Sequence, residues 1–247
     1  GETYKISILK GMPAADGSSL MAGYENEVSI PDYAPTVNFK TPGIYMALKG
    51  EKNVLLESVN LEKIKFAVNK IYDNNIVYYL NQSGMPSDVG IDLVEKEIQL
   101  NAEHNKLIES TISLKDLIGS DRGLFYLTVK SSEDGEQYYP YDSKLILSTD
   151  IGILAKQSSQ GLAVWLNSLS DTSAVVNATV KVFTQTNQLI AQGISDEKGM
   201  VILKDLDFSG DKKPFVITAA TENDLSFLEI QRNVLSESDF DIQGRPY

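Results

Sequence analysis

Apolar and polar residues alternate in short runs along most of this chain, most clearly between Asn177 and Leu203. In ATVKVF, Val180 and Val182 fall on one side and Lys181 on the other, the period of two that a half-buried strand requires. Thr186-Asn187 supplies a tight turn, LIAQGIS a second strand, and Asp196-Glu197-Lys198-Gly199 turns the chain into MVIL. A glycine closing a short acidic turn between period-two runs predicts a hairpin, because glycine enters φ > 0 without steric cost. The passage therefore reads as strand, turn, strand, turn, strand.

The same pattern continues on both sides. IGILAK and LAVWLNSL precede this passage, and PFVITAAT and LSFLEIQ follow it. Together they predict about seven strands in ~100 residues, the size of an immunoglobulin-like sandwich. Between Val37 and Leu147 the runs IYMALK, VLLESVN, KIKFAVNKIY, DLVEKEIQLN, HNKLIESTISL, GLFYLTVK and SKLILS predict another sandwich. Two places depart from strand periodicity. Ile76, Tyr79 and Leu80 in residues 74–83 have helical spacing, and SLKDLIG (113–119) offers a Ser113 N-cap and a closing glycine.

Ahead of this lie two short strands, YKISIL (4–9) and EVSI (27–30), joined by a turn-rich stretch. Pro31, Pro35 and Pro42 then mark a linker-like passage around VNFKTPG, since proline fixes φ and donates no N–H. The expected fold is all-β: two consecutive antiparallel β-sandwiches, with a short helix or two in the first. The expected division is residues 1–35 as terminal strands of a preceding β domain or an N-terminal extension, then sandwiches at 36–147 and 148–247. The chain opens already in a strand and closes without a terminating element, so it reads as part of something longer. Interfaces between domains of one chain are usually modest and polar, so rigid-body shifts between these modules are expected.

Composition narrows the function classes. At 247 residues the chain can bury one large core or two ordinary ones. Its net charge of −12, from 22 basic and 34 acidic side chains, repels phosphate backbones and anionic lipid. Neither nucleic-acid binding nor direct membrane insertion by this segment is expected; no apolar run approaches the ~20 residues that span a bilayer. There is no cysteine, hence no disulfide, thiolate metal site or cysteine nucleophile within it.

Candidate chemistry is sparse. His104 is the single histidine, in a polar turn, without a second histidine or a cysteine to complete a metal or catalytic group. It reads as an exposed loop residue. Asp205, Asp207 and Asp211, with Asp239 and Asp241, bring carboxylates together, but DLDFSGD only partly fits a calcium loop and lacks its distal glutamate. Ser195 has no neighbouring base and no G-x-S-x-G context. Trp165, alternating with Ala163, reads as a buried sandwich tryptophan, with a sugar-stacking surface residue as the alternative. Tyr138, Tyr139 and Tyr141 read as half-buried at an interdomain junction, with a surface aromatic patch as the alternative, and Asn177-Ala178-Thr179 as a chance sequon. No catalytic, cofactor-binding or metal-binding residue is predicted, and the segment is not read as an enzyme.

Several stretches carry a family resemblance. Ser148-Thr149-Asp150-Ile151-Gly152, Ala163-Val164-Trp165, Asn177-Ala178-Thr179-Val180 and Gly193-Ile194-Ser195-Asp196 with Gly199 resemble, in order, the motifs of macroglobulin-like domains of bacterial α2-macroglobulins. FVITAATENDLSFLEI and the Val37–Leu80 stretch around Asn60 are similar to that family too, and LSESDFDIQGRPY looks like a linker into a next domain. Ser195 stands where the family usually has threonine. The family's thioester, a cysteine and a glutamine three residues apart, has no counterpart, and its bait region lies elsewhere.

What the resemblance implies is a scaffold segment of a protease-trapping endopeptidase inhibitor in the periplasm or outer envelope of a Gram-negative bacterium, its parent a lipoprotein. Its implied partners are neighbouring macroglobulin-like domains of the same parent chain and, for the full-length protein, a target protease; no cofactor is implied. A cell-surface adhesin or polymer-binding array, or a β domain accessory to a peptidase, are the rival expectations.

Overall fold

The computed structural model describes residues 1–48, 51–82, 86–119, 122–132, 140–158, 161–206 and 210–230. Asp207, Tyr138, Tyr139, Asp239, Asp241 and the 235–247 linker lie outside the described residues, as does the side chain of Asp211.

The first sandwich packs a five-stranded sheet on a three-stranded one. In the larger, β4 (Tyr45–Met46), β10 (Tyr141–Ser148), β9 (Gly123–Ser131), β6 (Lys63–Ile71) and β7 (Gly90–Gln99) lie side by side. All its pairs are antiparallel except the short β4–β10 pair. The smaller sheet holds β3 (Thr36–Phe39), β5 (Asn53–Val59) and β8 (Leu107–Ser113). Alternation puts Phe66, Val68, Phe125, Leu127 and Val129 of one sheet against Val37, Val54, Leu56 and Ile112 of the other, all nearly inaccessible. The helical spacing at 74–83 becomes a 3₁₀ turn, Asp73–Asn75, and helix α1 (Ile76–Gln82). A second helix, α2 (Pro86–Val89), has no counterpart among the expected elements, whereas α3 (Lys115–Ile118) lies in the expected place.

Four details differ from expectation. The passage around VNFKTPG is not all linker, since Thr36–Phe39 form strand β3, and the neighbouring prolines fit because β3 is an edge strand needing donors on one side only. Of IYMALK only Tyr45–Met46 pairs. Helix α3 is capped by Leu114 without a side-chain bond, because Ser113 is still in β8. The fourth concerns Asp196–Gly199 in the second sandwich.

That sandwich joins a sheet of β11 (Ile151–Ser158), β12 (Gly161–Ser168) and β15 (Met200–Lys204) to one of β14 (Leu189–Ile194), β13 (Thr179–Thr184), β16 (Pro214–Ala220) and β17 (Leu225–Glu229). Its core is Leu162, Val164, Leu166, Val201 and Leu203 against Val180, Val182, Ile217 and Ala219. β13 and β14 form the expected hairpin. β14 and β15 do not: β15 pairs with β12 in the opposite sheet, so Asp196–Gly199 is a corner between layers. A local turn signal states that the chain reverses but not which strand receives it. Here Val201 and Leu203 are buried best opposite Val164 and Leu162.

β1 (Glu2–Ile8) and β2 (Tyr24–Ile30) form a two-stranded hairpin apart from both sandwiches. One face carries Tyr4, Ile6, Ile8, Tyr24, Val28 and Ile30 together with Glu2 and Asn26, and the other Thr3, Lys5, Ser7, Glu25, Glu27 and Ser29. Five of the six apolar residues are exposed and Ile8 is half-buried.

Candidate functional site

The sequence candidates fall at separate places in the fold. His104 is exposed, and its Nε2 lies 2.8 Å from Asp32 Oδ1. Around it, Asn60 and Asn105 both adopt left-handed backbone, φ 50° and 57°. The Asn105 N–H donates to Asn60 Oδ1 (2.6 Å), and Asn60 Nδ2 returns a bond to Asn105 Oδ1 (3.0 Å) and donates to the Tyr33 carbonyl (2.8 Å). Tyr33 N–H donates to Asn105 Oδ1, and Asn105 Nδ2 to Asp32 Oδ1. The amino group of Gly1, Asn105 and then the His104 charge hold the Asp32 carboxyl below the usual carboxylate range. This is a clasp fastening the 31–35 segment to the first sandwich, beside an open groove of about 820 Å³.

Ser195 is buried in a β corner. Its Oγ donates to the Val175 carbonyl (2.7 Å) and accepts the Ala178 N–H (2.9 Å), so the hydroxyl replaces backbone pairing and has no base beside it. Asp196 accepts the N–H groups of Met200 and Lys198, both at 2.8 Å, and these bonds hold its carboxyl below the usual range. Asn177 is an exposed residue at φ 58° whose N–H donates to the Ser195 carbonyl. Asp205 is exposed, also at positive φ. Among the described residues no group of three or more His, Asp or Glu side chains is arranged to hold a metal ion.

Trp165 differs from its expected place. It does alternate with Ala163, but both lie on the outer face of β12, while Leu162, Val164 and Leu166 fill the core. The indole is half-buried, flanked in register by Leu154 and Met200. Leu154 and Ile202 on the same face are largely exposed, at 64% and 53%. Alternation defines two faces without ranking them, and the core takes the even positions Leu162, Val164 and Leu166. Tyr141 is also an outer residue, exposed, its hydroxyl 3.1 Å from that of Tyr126.

The densest arrangement lies outside the sequence candidates: the seam between the two sandwiches. Ile71, Leu124 and Leu147 project from the outer face of the larger sheet of the first sandwich, with Ile76, Val77 and Tyr79 of α1 beside them. Against them pack Phe215, Val216 and Phe227 from the outer face of the β13–β16–β17 sheet. Phe215 and Val216 are adjacent yet both face the seam, because a bulge opposite Phe183/Thr184 breaks the alternation there. Burial on both faces explains why β16 is buried over Phe215–Ala219 and Gly123–Phe125 is buried without a break.

A polar hub closes the edge of the seam. The Asp224 side chain, 3% exposed, accepts the Thr149 hydroxyl (2.9 Å) and the Leu225 N–H (2.9 Å) at Oδ1. Its Oδ2 accepts the Asp150 N–H (2.8 Å) and lies 3.1 Å from Arg122 Nη1 of the first sandwich. The buried carboxylate is thus fully paired, as burial demands. Tyr45 Oη, of the first sandwich, donates to the Phe227 carbonyl (2.9 Å), and its burial pushes its phenol pKa up. Burial, then the neighbouring Tyr126 and Tyr141, pushes Tyr79 up to about 12.

Comparison with known proteins agrees with the resemblance read in the sequence. Residues 148–247 match the family model of the bacterial alpha-2-macroglobulin MG3 domain. Alpha-2-macroglobulin of Pasteurella multocida is 25% identical over 97% of this chain, and that of Rickettsia conorii 20% identical over 97%. The chain spans 14% of the length of each of these relatives. Among solved structures, native alpha-2-macroglobulin of Escherichia coli spanning domains MG0-NIE-MG1 superposes with a TM-score of 0.68 at 18% identity, covering 92% of this chain and 74% of that one. Salmonella alpha-2-macroglobulin reacted with methylamine gives 0.70 at 17%, covering 99% of this chain and 15% of that one. The resemblance to bacterial α2-macroglobulins is borne out, and so is the all-β fold of macroglobulin-like sandwiches.

Proposed function

We propose that this chain is a scaffold segment of a bacterial α2-macroglobulin-like protease-trapping inhibitor, structural rather than reactive. The observation that carries it is the match to bacterial α2-macroglobulins over almost the whole chain, with the MG3 domain model on residues 148–247. The side chains agree with the role. Ser195, Asp224, Asn60 and Asn105 direct their hydrogen bonds to backbone groups and to neighbouring side chains of the fold, and a segment without cysteine cannot itself supply a thioester. In this proposal residues 1–35 are terminal strands of a preceding β domain or an N-terminal extension, and 36–147 and 148–247 are two macroglobulin-like modules. The amphipathic β1–β2 hairpin supports that division, since two strands with one apolar face need a further layer to be stable.

The proposed partners are neighbouring macroglobulin-like modules of the parent chain and, for the whole parent, a target protease. The proposed location is the periplasm or outer envelope; no helix of the described residues is long and apolar enough to cross a membrane. The adhesin alternative draws little support from Trp165. Its flanking Leu154, Met200 and Ile202 form an aliphatic surface suited to another protein layer, not the polar lining that orients a sugar.

The test is direct. The 247-residue chain, incubated with a panel of endopeptidases and their substrates, should leave every protease activity unchanged and hydrolyse nothing. Inhibition by this segment alone would overturn the scaffold assignment.

A further inference from the structure

We infer that the two sandwiches are fused into one rigid body, so that conformational change in a protein built on this segment does not bend it between residues 148 and 151. This goes beyond the scaffold role and does not rest on it: fusion follows from the seam itself, whatever the parent protein does.

Three observations carry it. The first is the connection. Strand β10 ends at Ser148 and β11 begins at Ile151, leaving only Thr149 and Asp150 between the sandwiches. Ser148 and Thr149 are completely buried. Thr149 Oγ1 accepts the Ile151 N–H and donates to Asp224, and the Asp150 N–H donates to the same carboxylate. Asp150 in turn accepts the Ser168 hydroxyl and the Ser170 N–H. A hinge needs residues whose φ and ψ are free to change; here turning either residue would strip bonds from a buried carboxylate.

The second is the chemistry of the seam. Polar, modest interfaces allow domains to move, and the exception is a large hydrophobic one. This seam departs from the polar interface expected from general experience. Ile71, Ile76, Leu124, Leu147 and Val216 are all fully buried, and Phe215 and Phe227 nearly so. Ile71, Leu124 and Leu147 on the outer face of the larger sheet of the first sandwich, with α1 beside them, pack against Phe215, Val216 and Phe227 of β16 and β17, so the seam has the make-up of a core. Sliding or opening it would expose that apolar surface to water.

The third is the pair of cross-links at the rim, Arg122 to Asp224 and Tyr45 to the Phe227 carbonyl. Each joins the first sandwich to the β16–β17 ladder. Removing Arg122 would leave Asp224 buried with one partner fewer, which is costly.

The chain has no native cysteine, so spin labels can be placed at will. Glu109→Cys on β8 and Lys156→Cys on β11 are exposed positions, one on each sandwich. Pulsed dipolar spectroscopy on the doubly labelled 247-residue chain should give a single narrow distance distribution. Two populations, or the breadth of a jointed linker, would overturn the inference. Calorimetry of the unlabelled chain is the second arm and needs no substitution at the seam. One cooperative transition containing both sandwiches is expected, and two separable transitions would equally overturn it. Protease inhibition assays address the scaffold role separately, so failure of either idea is distinguishable from failure of the other.

Discussion

Gly199 shows how much a single position can decide. Its φ is +71°, and a Cβ built on it would lie 2.3 Å from the Leu166 carbonyl oxygen, a backbone atom that cannot step aside. Leu166 is fixed on both sides: its N–H donates to the Gly199 carbonyl at 2.8 Å and its carbonyl accepts the Val175 N–H at 3.0 Å, so the corner and β12 are held in close register. Gly199→Ala should therefore destabilise the chain by more than the ~1–2 kcal/mol that left-handed backbone costs an L residue, since the clash adds to it. Denaturant unfolding measures the change; a difference within ±0.5 kcal/mol, the range of ordinary surface substitutions, would show that the corner relaxes freely. The glycine was conspicuous in the sequence because acidic turns ending in glycine are strong signals. Its close approach to Leu166 was not, because that contact depends on which sheet receives β15. Asn60 and Asn105 illustrate the same limit: both have residue types that tolerate left-handed backbone, yet their mutual bonds join positions far apart in sequence.

At the scale of elements, period-two alternation located nearly every strand, helical spacing located α1, and the serine and glycine bounding 113–119 located α3. What alternation left open was partnership. The passage 177–203 was legible as three strands, but the last crosses to the opposite sheet. Trp165 alternated as expected with Ala163 while facing outward, since a period of two names two faces without saying which is inside. β16 gave a hidden clue. PFVITAA is apolar at nearly every position, the pattern of a strand covered on both faces, and the structure covers it on both. The β1–β2 hairpin is the opposite case. Its polar face and exposed apolar face mean that little apart from its own ladder holds it in this chain. Native-state hydrogen exchange should accordingly show amides of residues 2–8 and 24–30 exchanging far faster than those of β6, β9 or β16. Equal protection would mean that the hairpin is covered in solution, for example by a second copy of the chain.

For the whole molecule the decisive feature is that three apolar clusters, not two, run through the described residues, and the third belongs to both sandwiches. Tyr79 offers a way to read that seam through pH. Its ring lies in the third cluster, edge-on to Tyr126 with centroids 6.2 Å apart, and burial pushes its phenol up to about 12. An unfolded tyrosine ionises near ~10. Below that pH both states hold the proton and Tyr79 stabilises the fold in full. Between about 10 and 12 the unfolded chain gives up the proton while the folded one keeps it, so stability falls as pH rises through this window. Tyr79→Phe keeps the ring and removes the proton. The substituted chain should lose less stability than the native chain between pH 10 and 12, with the two indistinguishable near neutrality apart from a constant offset. Urea unfolding at stepped pH measures the difference, with the remaining tyrosines common to both proteins. If the two proteins lose stability in parallel across that window, the phenol is not desolvated and the seam is wetter than its burial indicates. If they diverge, and both sandwiches unfold together at every pH, a proton at one side chain in the seam is felt across the entire segment.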